Sequence, residues 1–131
     1  MTRLLLIILL FVSSAPAYAE WVEAVRYDQA GMTVYGDPDT ARRNGNLVKM
    51  WVLIDFKTIQ TSPSGTSYLS SKQQREYDCA EKRQHMLVVT VFMGNMGSGN
   101  VVYNNSDEQP WEPVSPESAA QGLWKVACGK K

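Results

Sequence analysis

The chain has two cysteines, Cys79 and Cys128, and their chemistry is the most specific that the sequence offers. A reactive or metal-binding pair would need a low-pKa environment or a Cys-x-x-Cys spacing, and neither is present. A structural disulfide needs an oxidising compartment outside the cytoplasm. The two cysteines therefore point to a disulfide if the chain is exported.

Residues 1–19 have the composition of a removable signal peptide. Arg3 gives a short positive start, residues 4–12 form an unbroken apolar run, and Ala17 and Ala19 supply the small-x-small cleavage pattern. Because about 20 apolar residues are needed to span a bilayer, this run is too short to be an anchor. The segment contains no cysteine for lipid attachment, so we do not expect a lipid anchor.

The rest of the chain, residues 20–131, is long enough for a single domain. We expect a mature protein that begins near Glu20, is periplasmic or secreted, and carries a Cys79–Cys128 disulfide. Its net charge is −1 once Arg3 is removed, so it lacks the strongly basic face of a nucleic-acid-binding protein. No later apolar stretch is long enough for stable membrane insertion.

His85 is the only histidine in the sequence. A zinc site with three histidines is therefore excluded, and a Ser-His-Asp triad would have only this residue as its base. No Gly-x-Ser-x-Gly motif accompanies it. A single haem or metal ligand stays open, but we expect a partly exposed histidine beside Lys82 and Arg83 at the start of a strand. The sequence thus predicts no catalytic, cofactor-binding or metal-binding residue, and a protein that is not an enzyme.

Three other motifs have simpler structural interpretations. The glycines of residues 94–99 resemble a phosphate-binding loop, but a strand follows them instead of a helix, so a hairpin turn is expected. The pairs Asp37/Asp39 and Asp107/Glu108 supply too few oxygen ligands for calcium. Both pairs are interpreted as solvated turns.

Three of the four tryptophans contribute to the predicted packing. Trp51 and Trp124 fall on apolar stripes and are expected in the core. Trp111, with a proline on either side of it, is either an exposed recognition residue or a lid on the core, and the core position is favoured.

The segment 47–58 is the clearest strand in the sequence. Its alternating apolar residues share one face, namely Val48, Met50, Val52, Ile54 and Phe56. Residues 43–46 just before it have the composition of a turn. Pro38 is expected to end the preceding strand, because proline cannot donate a ladder hydrogen bond. Further strands are predicted at residues 20–27, 32–35, 66–79, 83–93 and 100–103.

One strand competes with a helix in the sequence, and one helix is predicted at the C-terminal end. Residues 71–76 are rich in helix-forming side chains, but a strand is preferred because residues 83–93 have the pattern of its hairpin partner. Residues 115–117, Ser-Pro-Glu, carry three helix-start signals, and an apolar stripe follows them. Cys128 lies on this stripe, so its disulfide would fix a C-terminal helix to the sheet. The predicted fold class is therefore α+β.

The order of these features resembles the surface-adhesin protein E family of Gram-negative bacteria. Four segments carry the resemblance, at residues 50–55, 68–79, 111–116 and 124–128. The family resemblance implies an antiparallel β-sheet of about six strands, with one C-terminal helix held on one face by the Cys79–Cys128 disulfide. The family is named for a member that adheres to host serum and extracellular-matrix proteins, and haem binding has also been proposed for it.

The resemblance leads us to expect an exported, non-enzymatic binding module with a protein partner. Two alternatives are a periplasmic accessory protein with a bacterial partner and a binder of a small, haem-like ligand; a small enzyme using His85 is a weaker third. An exposed apolar surface would favour a protein partner, and a deep pocket near His85 or the tryptophans would favour a ligand. A carboxylate bonded to His85 within a cleft would favour an enzyme. An exposed edge strand would also allow a homodimer by sheet extension.

Overall fold

Alternating apolar residues and tight turns arrange the chain as an antiparallel sheet with one helix on one face. The computed structural model describes residues 21–129, so the predicted signal peptide lies outside the described residues. The elements are β1 (Val22–Tyr27), β2 (Met32–Asn44), β3 (Leu47–Thr61), β4 (Ser67–Asp78), β5 (Arg83–Phe92), β6 (Val101–Asn105), β7 (Glu112–Pro113) and α1 (Ala119–Gly129).

The strands follow one another in space in the order β1 to β6, and each pairs antiparallel with the next. The short β7 pairs with the start of β5, on the same edge that β6 occupies further along. The predicted fold class, an α+β sheet of about six strands with a C-terminal helix, is confirmed.

The core lies between β3 and the helix. Val48, Met50 and Val52 alternate along one face of β3 and are buried, as the sequence pattern predicts. Gly45 in the turn before β3 has a φ of 62°, a left-handed conformation that glycine adopts without strain. Both predictions for this segment are confirmed, and β3 extends to Thr61.

Pro38 does not end the second strand, contrary to the sequence expectation. It lies in an irregular stretch after Asp37, and β2 continues beyond it. The Thr40 hydroxyl donates to the Asp37 carbonyl (2.7 Å) and accepts the backbone N–H of Trp51 (3.0 Å), so a side chain replaces a ladder partner. The expectation of a solvated turn is wrong for Asp37, which is buried in this bulge.

The polar segment before Cys79 is strand β4, and β5 is its hairpin partner, as predicted. Side-chain hydrogen bonds link its polar residues. Arg75 donates to Gln73 (2.7 Å) and to Gln84 on β5, and Gln73 donates to Ser71 (3.2 Å). The polar side chains therefore satisfy one another within the sheet, which explains how this strand can be both polar and partly buried.

The helix α1 begins later than the start signals at residues 115–117 indicate. The Ser118 hydroxyl accepts the N–H of Gln121 (3.2 Å) and is the N-terminal cap. Glu117 has a φ of 59°, which is incompatible with the first turn of a helix. The start signals lie in the turn that precedes the helix.

Two glycines let the helix approach the sheet closely. Leu123 and Ala127 point into the core and are buried. A Cβ atom on Gly36 would lie 2.9 Å from Met50 Cε, and one on Gly122 would lie 3.1 Å from the Ala24 carbonyl oxygen. The helix accordingly packs directly on the first three strands.

The predicted disulfide is confirmed. Cys79 follows β4, Cys128 lies in the last turn of α1, and their sulfurs are bonded, with 49 residues of sequence separation. The Trp124 indole N–H donates to the Asp78 carbonyl (3.0 Å), and Arg43 donates to the Cys128 carbonyl (3.4 Å). The end of the helix is thus attached to the sheet by one covalent bond and two hydrogen bonds.

Replacing both Cys79 and Cys128 by serine should lower the free energy of unfolding by about 4 kcal/mol, because the unfolded chain regains the entropy of an open loop of this length. Urea unfolding of the oxidised wild type and of the double variant measures the difference. Wild-type protein reduced with dithiothreitol is the matched control and should resemble the variant. A loss below about 1 kcal/mol would contradict a stabilising role for this bond.

Tyr77 is a polar exception within the core. Its side chain is fully buried in the core between the sheet and the helix, which we call the helix-facing core cluster. Its hydroxyl has no hydrogen-bond partner among residues 21–129. Burial raises the pKa of this hydroxyl well above its usual value. A buried hydroxyl without a partner bears a desolvation cost that the aromatic ring alone would not.

Tyr77→Phe should therefore leave the free energy of unfolding unchanged or raise it by about 1 kcal/mol. Tyr77→Ala, which also removes the ring, should lower it by about 3–5 kcal/mol because a cavity remains. Urea unfolding of both variants beside the wild type separates the two contributions. A clear destabilisation by Tyr77→Phe would show that the hydroxyl has a stabilising partner.

Candidate binding surfaces at the two ends of the sheet

The turns between strands lie at two opposite ends of the sheet. At one end are the turns at residues 45–46 and 79–82, together with the disulfide; we call it the disulfide end. At the other end are the connections at residues 28–31, 62–66 and 93–100, which we call the apolar end.

Asp78 organises the turn that precedes the disulfide. Its Oδ1 accepts the backbone N–H groups of Ala80 and Glu81 (both 3.1 Å), and its Oδ2 accepts the Arg83 Nε–H (3.0 Å). Burial alone would raise the pKa of the Asp78 carboxyl, but the bond from Arg83 and the two N–H groups outweigh it and hold the pKa below its usual value. The carboxylate therefore acts in its charged form.

His85 is buried, with 3% of its surface exposed, and is not the partly exposed residue that the sequence suggests. It is directly paired with Glu76 across β4 and β5, and its Nε2 lies 2.8 Å from Glu76 Oε1. Its Nδ1 lies 2.9 Å from the Gln109 carbonyl oxygen and 3.6 Å from Glu108 Oε1. Both ring nitrogens thus face oxygen atoms.

The cover over His85 is the segment between β6 and β7, residues 106–111, which we call the arch. The Trp111 ring stacks on the imidazole, with centroids 3.8 Å apart and planes at 25°, and the Arg83 guanidinium lies 4.6 Å from the Trp111 centroid. The Gln109 N–H donates to the Met86 carbonyl (2.9 Å) and fixes the arch to β5. Trp111 is therefore a half-buried lid on His85 and lies outside the helix-facing core cluster.

This cluster has the carboxylate that would favour an enzyme but lacks a nucleophile. The groups within hydrogen-bonding distance of the imidazole nitrogens are the Glu76 carboxylate and the Gln109 carbonyl oxygen, and neither is a hydroxyl or a thiol. Beside it, an open depression of about 510 Å³ lies over Arg83 and Trp111, with Glu81 and Glu112 at its rim. The cluster offers a nitrogen atom and oxygen atoms that could bind a cation.

The apolar end exposes large hydrophobic side chains. Among residues 21–129 the exposed ones at this end are Tyr27, Ile59, Met93, Met96, Val101 and Tyr103. Outside it lies one more, Val22, which pairs with Gly36 along β1.

A cleft of about 400 Å³ adjoins these side chains, between the loop at residues 62–66 and strand β6. Its apolar lining includes Pro63, Tyr68, Val91 and Tyr103.

The turn between β5 and β6 is held against the sheet by specific hydrogen bonds. The Asp55 carboxylate accepts the N–H of Met96 (2.8 Å) and the side-chain amide of Asn95 (3.1 Å). The Ser70 hydroxyl donates to the Gly94 carbonyl (2.6 Å) and accepts the Gly97 N–H (2.9 Å). The turn predicted from the glycine pattern of residues 94–99 is confirmed, and this anchoring fixes where Met96 is presented.

The remaining aromatic and acidic predictions have mixed outcomes. Trp124 packs against the core as expected. Trp51 is half-buried beneath Lys72, whose Nζ lies 5.1 Å from its ring centroid, and lies outside the core cluster. Asp107 and Glu108 are exposed in the arch, consistent with a solvated turn.

Sequence reasoning did not identify the exposed residues of the apolar end. Met93 and Met96 are apolar residues inside or beside a glycine-rich turn, where solvent exposure is the usual outcome, and this was an available signal. Ile59 and Val101 gave no such signal, because apolar residues in strands ordinarily indicate burial.

The comparisons with known proteins agree with this architecture. The sequence model of the family described as surface-adhesin protein E matches residues 21–129. The chain belongs to the surface-adhesin protein E family. No curated protein matches the sequence.

Crystal structures of Haemophilus influenzae protein E have the same fold. Crystal form II has a TM-score of 0.66 at 11% identity, with 87% of this chain and 91% of that chain covered. The selenomethionine form gives 0.65 at 11% identity, with 88% and 90% covered. Protein E from a non-typeable strain gives 0.63 at 11% identity, with 88% and 79% covered.

Membership in the protein E family makes this chain an adhesin-like binding module, and the family is one of surface or secreted proteins. Within residues 21–129, the one α-helix is too short to cross a bilayer.

The ionised Asp78 carboxylate should make the fold sensitive to acid. Its pKa is lower in the folded protein than in the unfolded chain, where it is near 4, so its stabilising contribution is present above that pH and is lost as the pH falls through the folded value. Asp78→Asn should be less stable than the wild type at pH 7 and should lose less stability on acidification. Urea midpoints measured from about pH 7 to pH 2 test this.

Asp107→Asn, which removes an exposed carboxylate from the arch, is the control and should follow the wild-type pH profile. Parallel profiles for the wild type and Asp78→Asn would contradict the role assigned to Asp78.

Proposed function

We propose that this protein is an exported adhesin-like module that binds a host serum or extracellular-matrix protein through the apolar end of its sheet. Family membership supports the class of function. The observation that carries the choice of surface is the grouping of exposed hydrophobic side chains at that end.

The distribution of these side chains is the main support. A soluble domain tolerates isolated exposed apolar residues, but a group of them at one place typically marks an interaction surface. Here the exposed large apolar residues of the described chain, apart from Val22, come from four different segments and all lie at the same end of the sheet. Met93, Met96, Val101 and Tyr103 are neighbours on one turn and one edge strand, whereas Tyr27 lies on the opposite edge strand, β1.

The types of residue at this end also suit protein recognition. Tyr103 offers an aromatic ring with a polar tip, a combination that is enriched at the centres of interfaces. Met93 and Met96 have flexible, polarisable side chains that adapt to irregular partner surfaces. Because the Asp55 and Ser70 bonds hold the β5–β6 turn in place, less conformational entropy would be lost on binding.

The cleft at this end supports a second candidate, binding of a small apolar ligand. Its volume of about 400 Å³ lies within the range of ligand sites, and Tyr68 is held at its wall by an edge-to-face contact with Phe56. His85 is six residues from Val91 along β5, roughly 20 Å away at the rise of a strand. A haem in this cleft would therefore not have the single histidine as its ligand.

The compartment follows from the same proposal. Residues 1–19 stay a predicted signal peptide and residues 20–131 the predicted mature domain, exported to the periplasm, the medium or the cell surface without a lipid anchor. The disulfide is consistent with an oxidising environment.

The double variant Val101→Ser/Tyr103→Ser should weaken binding to the host ligand by about 30-fold or more, the loss expected when an interface tyrosine is removed. Purified protein is titrated against immobilised serum and extracellular-matrix proteins by biolayer interferometry. The same preparations are titrated with haemin, to test the small-ligand candidate.

Val22→Ser is the matched control, because Val22 is an exposed valine on the other edge strand of the same sheet. It should bind as the wild type does. Binding by the double variant at wild-type strength, an equal loss in Val22→Ser, or wild-type binding to no protein ligand would each contradict the proposal.

A further inference from the structure

The arch brings three electron-pair donors together at the disulfide end. The Gln109 carbonyl oxygen lies 2.9 Å and Glu108 Oε1 lies 3.6 Å from Nδ1 of His85. On the other side of the ring, Nε2 lies 2.8 Å from the Glu76 carboxylate. Oxygen atoms of Glu76 and Glu108 and a nitrogen of His85 all lie within 4.8 Å of one another.

The hydrogen bonds of the imidazole determine what can occupy the space beside Nδ1. Glu76 Oε1 lies 2.8 Å from Nε2, where a metal-bound histidine usually has a second partner on its other ring nitrogen. Nδ1 faces the oxygen atoms of Gln109 and Glu108. A cation among these three atoms could accept an electron pair from each of them.

We propose that Nδ1 of His85, the Gln109 carbonyl oxygen and the Glu108 carboxylate bind a divalent first-row transition metal ion of the Zn²⁺ type. Glu76 is a positioning residue, because its carboxylate holds the Nε2–H and turns Nδ1 toward the ion. Metal-bound histidines characteristically have this second partner on the opposite ring nitrogen.

The distances fit the edges of a coordination shell. Ligands about 2.1 Å from a metal are roughly 3.0 Å apart in octahedral geometry and roughly 3.4 Å apart in tetrahedral geometry. The observed separations from Nδ1, 2.9 and 3.6 Å, lie on either side of these values. Small movements of the Glu108 side chain, which is 69% exposed, would close the shell, and solvent can supply the remaining ligands.

The donor types indicate which metal the site would prefer. One imidazole nitrogen with two oxygens suits borderline ions such as Zn²⁺, Ni²⁺ and Co²⁺. Ca²⁺ prefers six or more oxygen ligands and gains little from an imidazole.

Two of the three donors are already fixed in place. The stacked Trp111 ring holds the imidazole plane, and the Gln109 N–H bond to Met86 holds the Gln109 peptide. The site is therefore largely formed before the ion binds, which lowers the entropic cost of binding.

The site lies at the opposite end of the sheet from the proposed adhesive surface, so the two proposals succeed or fail independently. A proton on Nδ1 would satisfy the same two oxygens by hydrogen bonds. The experiment must therefore distinguish a bound metal from a doubly protonated ring.

Zinc titration of the ¹⁵N-labelled, tag-free protein at pH 7.5 provides the test. Because His85 is the only histidine, the imidazole region of the spectrum reports on this one ring. We expect Zn²⁺ to bind once and to shift the Nδ1 resonance more than that of Nε2, while Ca²⁺ shifts neither. A ring whose two nitrogens stay protonated at saturating Zn²⁺ would overturn the proposal.

Two variants of the arch separate ligation from charge. Glu108→Gln and Asp107→Asn each remove one negative charge from adjacent exposed positions. Glu108→Gln should weaken Zn²⁺ affinity about tenfold or more in isothermal titration calorimetry, and Asp107→Asn should leave it nearly unchanged. Equal losses in the two variants, or no loss in Glu108→Gln, would refute ligation by Glu108.

Glu76→Gln tests the positioning role. Removal of such an outer partner typically weakens metal affinity by about 10–100-fold. It should also change which imidazole nitrogen is protonated in the metal-free spectrum, an effect that loss of packing alone would not produce. An unchanged protonation pattern together with unchanged affinity would refute the role of Glu76.

Discussion

The structure depends on the attachment of one short helix to one half of a wide sheet. A helix about 10 Å in diameter cannot cover six strands whose outer members are about 24 Å apart. The helix packs on β1, β2 and β3, where Gly36 and Gly122 allow close approach. The Cys79–Cys128 bond holds its last turn against the end of β4, so the buried cluster persists although only Leu123 and Ala127 of the helix are fully buried. The uncovered part of this side and the face opposite the helix are covered in other ways.

This cover takes two forms. On β4 and β5, side chains such as Gln73 and Arg75 bond to one another, so the strands need no apolar cover. Loops cover other parts: Gly97 of the β5–β6 turn lies against Leu53, and the arch covers His85 with Trp111. The loops that complete the sheet are thus the ones that present Met96 at one end and Glu108 at the other.

Sequence reasoning succeeded where a local pattern determines the structure. Apolar alternation predicted β3 and its buried face, and the cysteine context predicted the disulfide. It failed where segments that are distant in the sequence determine the environment of a residue. Pro38 lies within a strand because the Thr40 hydroxyl bridges the irregular stretch, accepting the Trp51 N–H and donating to the Asp37 carbonyl. His85 is buried by an arch that follows it by more than 20 residues, and no periodicity near His85 indicates that cover. The candidate sites could not be predicted from the sequence for the same reason, because each of them combines segments that only the fold brings together.

A cation bound in the arch would add to the difference in how the two ends of the sheet are held together. The disulfide joins the helix to the sheet at one end, and an ion held by His85, Gln109 and Glu108 would join the arch to the sheet at that same end. An ion that binds only the folded chain stabilises it in proportion to the logarithm of its concentration, so this end would gain stability outside the cell without a second covalent link. The apolar end contains neither device among the described residues and keeps adaptable side chains. At that end the Asp55 and Ser70 hydrogen bonds hold the backbone of the β5–β6 turn, and the adaptability lies in the methionine side chains.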